Sequence, residues 1–161
     1  MINPYIFSAD NSVLVTFLAS FLIWVMVAGL IFLWIIDGKI KKEQVLHALF
    51  AWIIAWVIAQ IIKDLFPALR PFQTNGHPIF TITVPNTSAF PSTHSAAAVA
   101  IAVSVWLHNK RIGNKFLFLA VLVCLGRILG NVHSAFDVLG GGLIGMVSAV
   151  IIGKFHLYKL L

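Results

Sequence analysis

Read along its length, the chain is a series of long apolar runs separated by short polar breaks. Five apolar segments stand out, at residues 11–36, 45–62, 89–107, 116–132 and 138–153. The first holds 26 residues without a formal charge, enough to span a bilayer with some tilt. Segments three to five are short for full spans, so their polar ends are expected in a protein-lined cavity and not in lipid. Small residues mark two of them. Ala96, Ala97, Ala98, Ala100 and Ala102 lie in the third, and Gly141 and Gly145 make a GxxxG spacing in the fifth. Both patterns favour close helix packing. The prediction is an all-α integral membrane protein, a bundle of about five transmembrane helices forming a single domain over residues 1–161.

Composition agrees with this. The chain is 60% hydrophobic and 10% charged, where a soluble domain carries about a quarter charged residues. The lone cysteine, Cys124, rules out a disulfide within the chain. A net charge of +6 suggests nucleic acid at first sight, but the positions of the charges argue against it. Lys39, Lys41 and Lys42 lie between segments one and two, Lys110, Arg111 and Lys115 between three and four, and Lys154 and Lys159 after five. With five alternating spans, all eight fall on one side, which the positive-inside rule makes cytoplasmic. The N-terminus is then outside and the C-terminus inside. The charge is therefore mostly topology, and no nucleic-acid partner is expected. His47, His108 and His156 fall toward the cytoplasmic side and read as interfacial, and the tryptophans as lipid-facing or interfacial.

Of the 11 Lys and Arg residues, three remain, and all three belong to the outer side: Lys63, Arg70 and Arg127. Ser92, Thr93, His94, His133 and Asp137 share that side. The longest irregular stretch, 64–88, lies there too and holds Pro67, Pro71, Pro78 and Pro85. Ionisable groups at membrane depth are costly and mark function. Three cations and two hydroxyls suit a phosphate, with arginine able to bind it bidentately. Ser92 and Thr93 open a helix, where backbone N–H groups face an anion. Two histidines add phosphoryl and proton transfer, one as nucleophile and one as general acid. Asp137, four residues after His133, is placed to orient its ring. Three nearby cations would repel a divalent ion, so no metal and no cofactor is expected.

These residues resemble a known family. Lys63-DLFPAL-Arg70-Pro71 is similar to the KxxxxxxRP motif of type 2 phosphatidic acid phosphatases. Pro91-Ser92-Thr93-His94 is similar to their PSGH motif, and Arg127-ILGNV-His133-SAF-Asp137 to SRxxxxxHxxxD. The resemblance implies a metal-independent lipid phosphatase in a bacterial cytoplasmic membrane, with its active site at the outer face. It makes His133 the nucleophile that becomes a phosphohistidine, Asp137 its orienting partner and His94 the acid. Lys63, Arg70, Ser92, Thr93 and Arg127 then hold the phosphate. The contexts around Arg70 and Pro91 look most like undecaprenyl diphosphate phosphatases, implying conversion of a polyprenyl diphosphate to the monophosphate. Phosphatidylglycerol phosphate and phosphatidate phosphatases share every motif and form the alternative. A small membrane transporter is the reading from another class. The chain departs from the family in having Thr93 for a glycine, Gly126 for a serine, and five countable spans where six are common.

Overall fold

Helices form where the apolar runs predict them. The computed structural model describes residues 9–36 and 39–155. The first apolar run is one continuous helical path with a single irregularity. Helix α1 (Ala9–Thr16) passes through a π turn (Phe17–Phe21) into α2 (Leu22–Ile35). Helix α3 (Lys39–Leu65) is followed by a single turn, α4 (Pro71–Asn75), inside the 64–88 stretch. Helices α5 (Thr93–His108), α6 (Lys110–Leu129) and α7 (Ala135–Ile152) complete the described chain.

Among the described residues, four helical stretches are long and apolar enough to cross a membrane: Ser12–Ile35, Lys42–Leu65, Lys110–Leu129 and Ala135–Ile152. Thr93–His108 is a shorter apolar helix. The expectation that segments three to five are all short therefore holds only for α5. Helix α6 begins at Lys110, six residues before the apolar run, because Lys110, Arg111, Asn114 and Lys115 are tolerated in an exposed helix start. Asn109 caps it, its side chain accepting from the Ile112 N–H at 3.0 Å. At 1.5 Å per residue, α5 spans roughly 24 Å against about 30 Å of hydrocarbon. It can be short because its neighbours enclose it. Ala96, Ala98, Ala100, Ile101, Ala102 and Val105 are all fully buried.

Small residues set the packing around α5. A Cβ on Gly145 would lie 2.3 Å from the Ala96 carbonyl oxygen, and one on Gly141 would lie 2.2 Å from that of Ser92. Helix α3 turns Ala48, Ala51, Ala55 and Ala59 inward at helical spacing, each fully buried. Ala51, Ala55 and Ala59 share a cluster with Ala96, Ala100, Ala149 and Ile152. On the other flank of α5, Leu22, Ile23, Met26 and Leu30 of α2 pack with Ile101, Val105, Phe116 and Val123. The large apolar side chains left over, such as Trp24, Phe32, Phe118 and Leu143, point outward, as a lipid-facing surface requires.

The two ends of the bundle differ. Lys42, Lys110, Arg111, Lys115 and Lys154 lie at the end where α3 and α6 begin and α7 finishes. Here His47 is buried and not interfacial. Its Nδ1 sits 2.8 Å from His108 Nε2, and its Nε2 sits 2.8 Å from the Phe155 carbonyl. His156 and Lys159 lie outside the described residues. The other end gathers the finish of α3 and α6 and the start of α5 and α7.

The packing gives a direct test. Gly145→Ala forces a Cβ into backbone, whereas a Cβ on Gly142 meets only Val99 Cγ2 at 3.7 Å. Thermal unfolding in detergent should show Gly145→Ala destabilised by about 1–3 kcal/mol, with Gly142→Ala close to wild type. Equal melting temperatures for the two variants would contradict the close α5–α7 contact.

Candidate active site

Helix ends place the polar residues. Ser92 caps α5, its Oγ accepting from the Ser95 N–H at 3.4 Å and from the Ser95 hydroxyl at 3.0 Å. Both acceptor sites of that hydroxyl are thus used, and its own hydrogen is left to donate. The helix start leaves the Thr93 and His94 N–H groups without intrahelical acceptors. The Ser92 N–H donates to the Asp137 carbonyl at 2.9 Å, which ties the starts of α5 and α7 together.

The cations enter from three other elements. Lys63, in the last turn of α3, is buried and donates to the Ser88 carbonyl, with the Ala89 carbonyl at 3.5 Å. Arg70 caps α4 and spreads its guanidinium between two loops. Its Nε donates to the Thr87 carbonyl at 2.9 Å, and its Nη2 to Thr87 Oγ1 at 3.3 Å and the Ser88 carbonyl at 3.2 Å. Its Nη1 donates to the Val132 carbonyl at 2.9 Å and sits 3.2 Å from His133 Nε2. Arg127, in the last turn of α6, donates to the Ala19 carbonyl of the π turn at 2.9 Å, while its Nε is buried without a partner. The π turn also accounts for Gly126. A Cβ there would lie 2.6 Å from the Leu18 carbonyl carbon and 2.7 Å from the Ala19 nitrogen, so a serine does not fit.

His133 stands in the short connection between α6 and α7, fully buried. A guanidinium only donates, so Arg70 makes Nε2 the acceptor and leaves the ring proton on Nδ1. That nitrogen faces Asp137 Oδ2 at 3.8 Å. At this distance the carboxylate acts through its charge and not through a formed hydrogen bond. Asp137 is held in place by a reciprocal cap. Its Oδ2 accepts from the Ser134 N–H at 2.7 Å, and its N–H donates to Ser134 Oγ at 3.2 Å. Burial pushes the His133 pKa down to about 4; Asp137 opposes this, and the charges of Arg127, Arg70 and Lys63 reinforce it.

All eight residues singled out in the sequence therefore stand at one end of the bundle. Lys63, Arg70, Ser92, Arg127, His133 and Asp137 are buried, and Thr93 and His94 are half-buried. His94 lies within electrostatic reach of Arg127, His133, Arg70 and Lys63. The supporting residues carried no sequence signal. Ser95, Thr87, Ser88 and the Ala19 carbonyl are ordinary residues made important by where the fold puts them.

An apolar cavity of about 200 Å³ runs from Thr93 and His94 toward the flank of the bundle, between α2, α3 and α5. Trp24, Val27, Trp52 and Trp56 line it. Trp24 and Trp56 keep the outward exposure expected of them and also wall a groove that reaches His94.

The chain is 28% identical over 154 residues to the bacitracin transport permease protein BcrC of Bacillus licheniformis, covering 94% of this chain and 70% of that one. It is 30% identical over 151 residues to undecaprenyl-diphosphatase BcrC of Bacillus subtilis, covering 91% of this chain and 75% of the relative. Its fold matches the crystal structure of Aquifex aeolicus LpxE with a TM-score of 0.78 and 27% identity, over 94% of this chain and 90% of the other. A family model, the PAP2 superfamily, matches residues 44–160, a stretch that contains every residue of the site. With its three polar motifs gathered at one end of a helical membrane bundle, the chain belongs to the PAP2 superfamily of lipid phosphatases.

Proposed function

We propose that the protein removes a phosphate from a polyprenyl diphosphate, leaving the monophosphate, through a phosphohistidine on His133. The observation that carries this reading is the ring of His133, whose Nε2 faces the Arg70 guanidinium and whose Nδ1 faces Asp137. The lone pair on Nε2 attacks the terminal phosphorus as the bond from phosphorus to the leaving oxygen breaks. Proton loss from the imidazolium is opposed by Asp137, which stabilises the developing charge. His94 protonates the leaving oxygen, then takes a proton from the water that cleaves the N–P bond. Lys63, Arg70, Arg127, the Ser92 hydroxyl and the first amides of α5 at Thr93 and His94 stabilise the charge on the phosphoryl oxygens. No step calls on a metal ion.

Substrate and orientation rest on further supports. The groove lined by three indoles suits a long apolar tail arriving from the bilayer with its head group at His94. A relative at 30% identity bears the name undecaprenyl-diphosphatase. The excess of lysine at the opposite end of the bundle supports an active site facing outward across a bacterial cytoplasmic membrane. Phosphatidylglycerol phosphate or phosphatidate is the second substrate reading. The transporter reading has a permease name among the relatives in its favour, but it gives no use for the polarised ring of His133.

Purified protein in detergent, without divalent ions, should release phosphate from undecaprenyl diphosphate faster than from phosphatidylglycerol phosphate or phosphatidate. His133→Ala should lose turnover entirely, and His94→Ala should fall about 10²–10⁴-fold. Turnover retained by His133→Ala would overturn the covalent route. Transport without phosphate release would favour the permease reading.

The low pKa of His133 makes a second prediction. Its protonated form cannot attack, so activity is present above the folded pKa and is lost as pH falls through it. After correction for substrate ionisation, the acidic limb of kcat/KM should lie near pH 4. A limb near the ordinary histidine value of about 6.5 would contradict the burial argument.

A further inference from the structure

The segment 70–80 crosses the connection that carries His133 and is bound to it at three places. At one end Arg70 donates to the Val132 carbonyl. At the other the Phe80 N–H donates to the Gly130 carbonyl at 3.1 Å. Between them two carboxamides meet head to tail. Asn75 Nδ2 donates to Asn131 Oδ1 at 2.8 Å, and Asn131 Nδ2 donates to Asn75 Oδ1 at 3.1 Å and to the His77 carbonyl at 3.0 Å. Asn75 Oδ1 also accepts from the His77 N–H at 2.9 Å.

Asn131 has a backbone φ of +59°, the sole non-glycine residue with positive φ among the described residues. Glycine takes this conformation freely, and asparagine is one of the side chains that tolerate it. A turn alone explains the backbone; the paired amide explains the side chain.

We propose that Asn131, through Asn75, is a positioning residue that aims Arg70 at the reacting nitrogen of His133. The inference rests on the phosphatase reading of the site. Helix α4 is a single stiff turn from Pro71 to Asn75, closed at its start by Gln73, whose Oε1 accepts from the Arg70 N–H at 2.7 Å. Holding Asn75 therefore helps fix the turn from which Arg70 extends, alongside the direct bonds of its guanidinium to the Thr87, Ser88 and Val132 carbonyls. When phosphate enters, Arg70 must turn from Nε2 toward the phosphoryl oxygens while keeping its bearing on the attacked phosphorus. Small misplacements of such a group are paid for in the transition state more than in binding.

Asn131→Gly keeps the left-handed turn and removes the amide, and Asn75→Ala removes the partner without touching that turn. Each should lower kcat about five- to tenfold, on the scale of lost neutral hydrogen bonds. KM for undecaprenyl diphosphate should stay within about twofold, because the loss is confined to the transition state. The double variant should be no slower than either single one, because the two residues act as one unit. Affinity for orthovanadate, a transition-state mimic, should fall in parallel while affinity for inorganic phosphate holds. Unchanged kcat and vanadate affinity in both single variants, multiplied losses in the double, or a rise in KM alone would overturn the proposal. A wild-type protein that releases no phosphate from any lipid phosphate would instead sink the functional reading. The vanadate affinities of the variants then decide the Asn75–Asn131 positioning role by themselves, and no vanadate binding to wild type overturns both.

Discussion

The structure turns on one contact, the 3.2 Å approach of the Arg70 guanidinium to His133 Nε2. A group that can only donate sits against one ring nitrogen, and a carboxylate sits beyond the other. Together they select a tautomer, leaving a lone pair on the nitrogen that points into the cluster of cations. Every other feature of this end of the molecule bears on that arrangement. Arg70 is itself held by carbonyls of residues 87, 88 and 132, and Asp137 is held by the cap of α7.

Such a cluster needs helix termini brought unusually close together. The alanines of α3 and α5 and the glycines of α7 do this work, since bulkier side chains would separate the backbones. One consequence is the bond from the Ser92 amide to the Asp137 carbonyl, which joins the start of α5, where His94 lies, to the start of α7, just after His133. Another is the length of α5. A helix too short for the hydrocarbon core can carry a polar end at membrane depth because protein, not lipid, surrounds it. The groove walled by Trp24, Trp52 and Trp56 is the place where that enclosure opens.

Much of the site was legible in the sequence because its chemistry is expensive. Charged and titratable groups such as Lys63, Arg70, Arg127 and His133 are costly beside apolar runs, and the spacing of their motifs resembles that of a family. The membrane bundle was legible for the same kind of reason, from uninterrupted apolar length. What escaped was whatever depends on neighbours distant in the chain. The buried Ala48/Ala51/Ala55/Ala59 stripe reads as unremarkable apolar composition until α5 lies against it. His47 looks interfacial until His108 and the Phe155 carbonyl meet it. Gly126 looks like a lost hydroxyl until the π turn is seen to occupy its space. Helix α4 was hidden because a five-residue turn has no periodicity to display, and Pro71 with the prolines on either side of the turn reads as loop.

The central claim is that Nε2 of His133 is the atom that takes the phosphoryl group. Rapid acid-free quenching during turnover of a substrate labelled in its terminal phosphate, followed by site-resolved mass spectrometry and phosphohistidine isomer analysis, reads this atom directly. The account predicts label on His133 alone, as the Nε2-phosphorylated isomer. Label on His94, label on Nδ1 of His133, or steady turnover with no phosphohistidine at any time would contradict it.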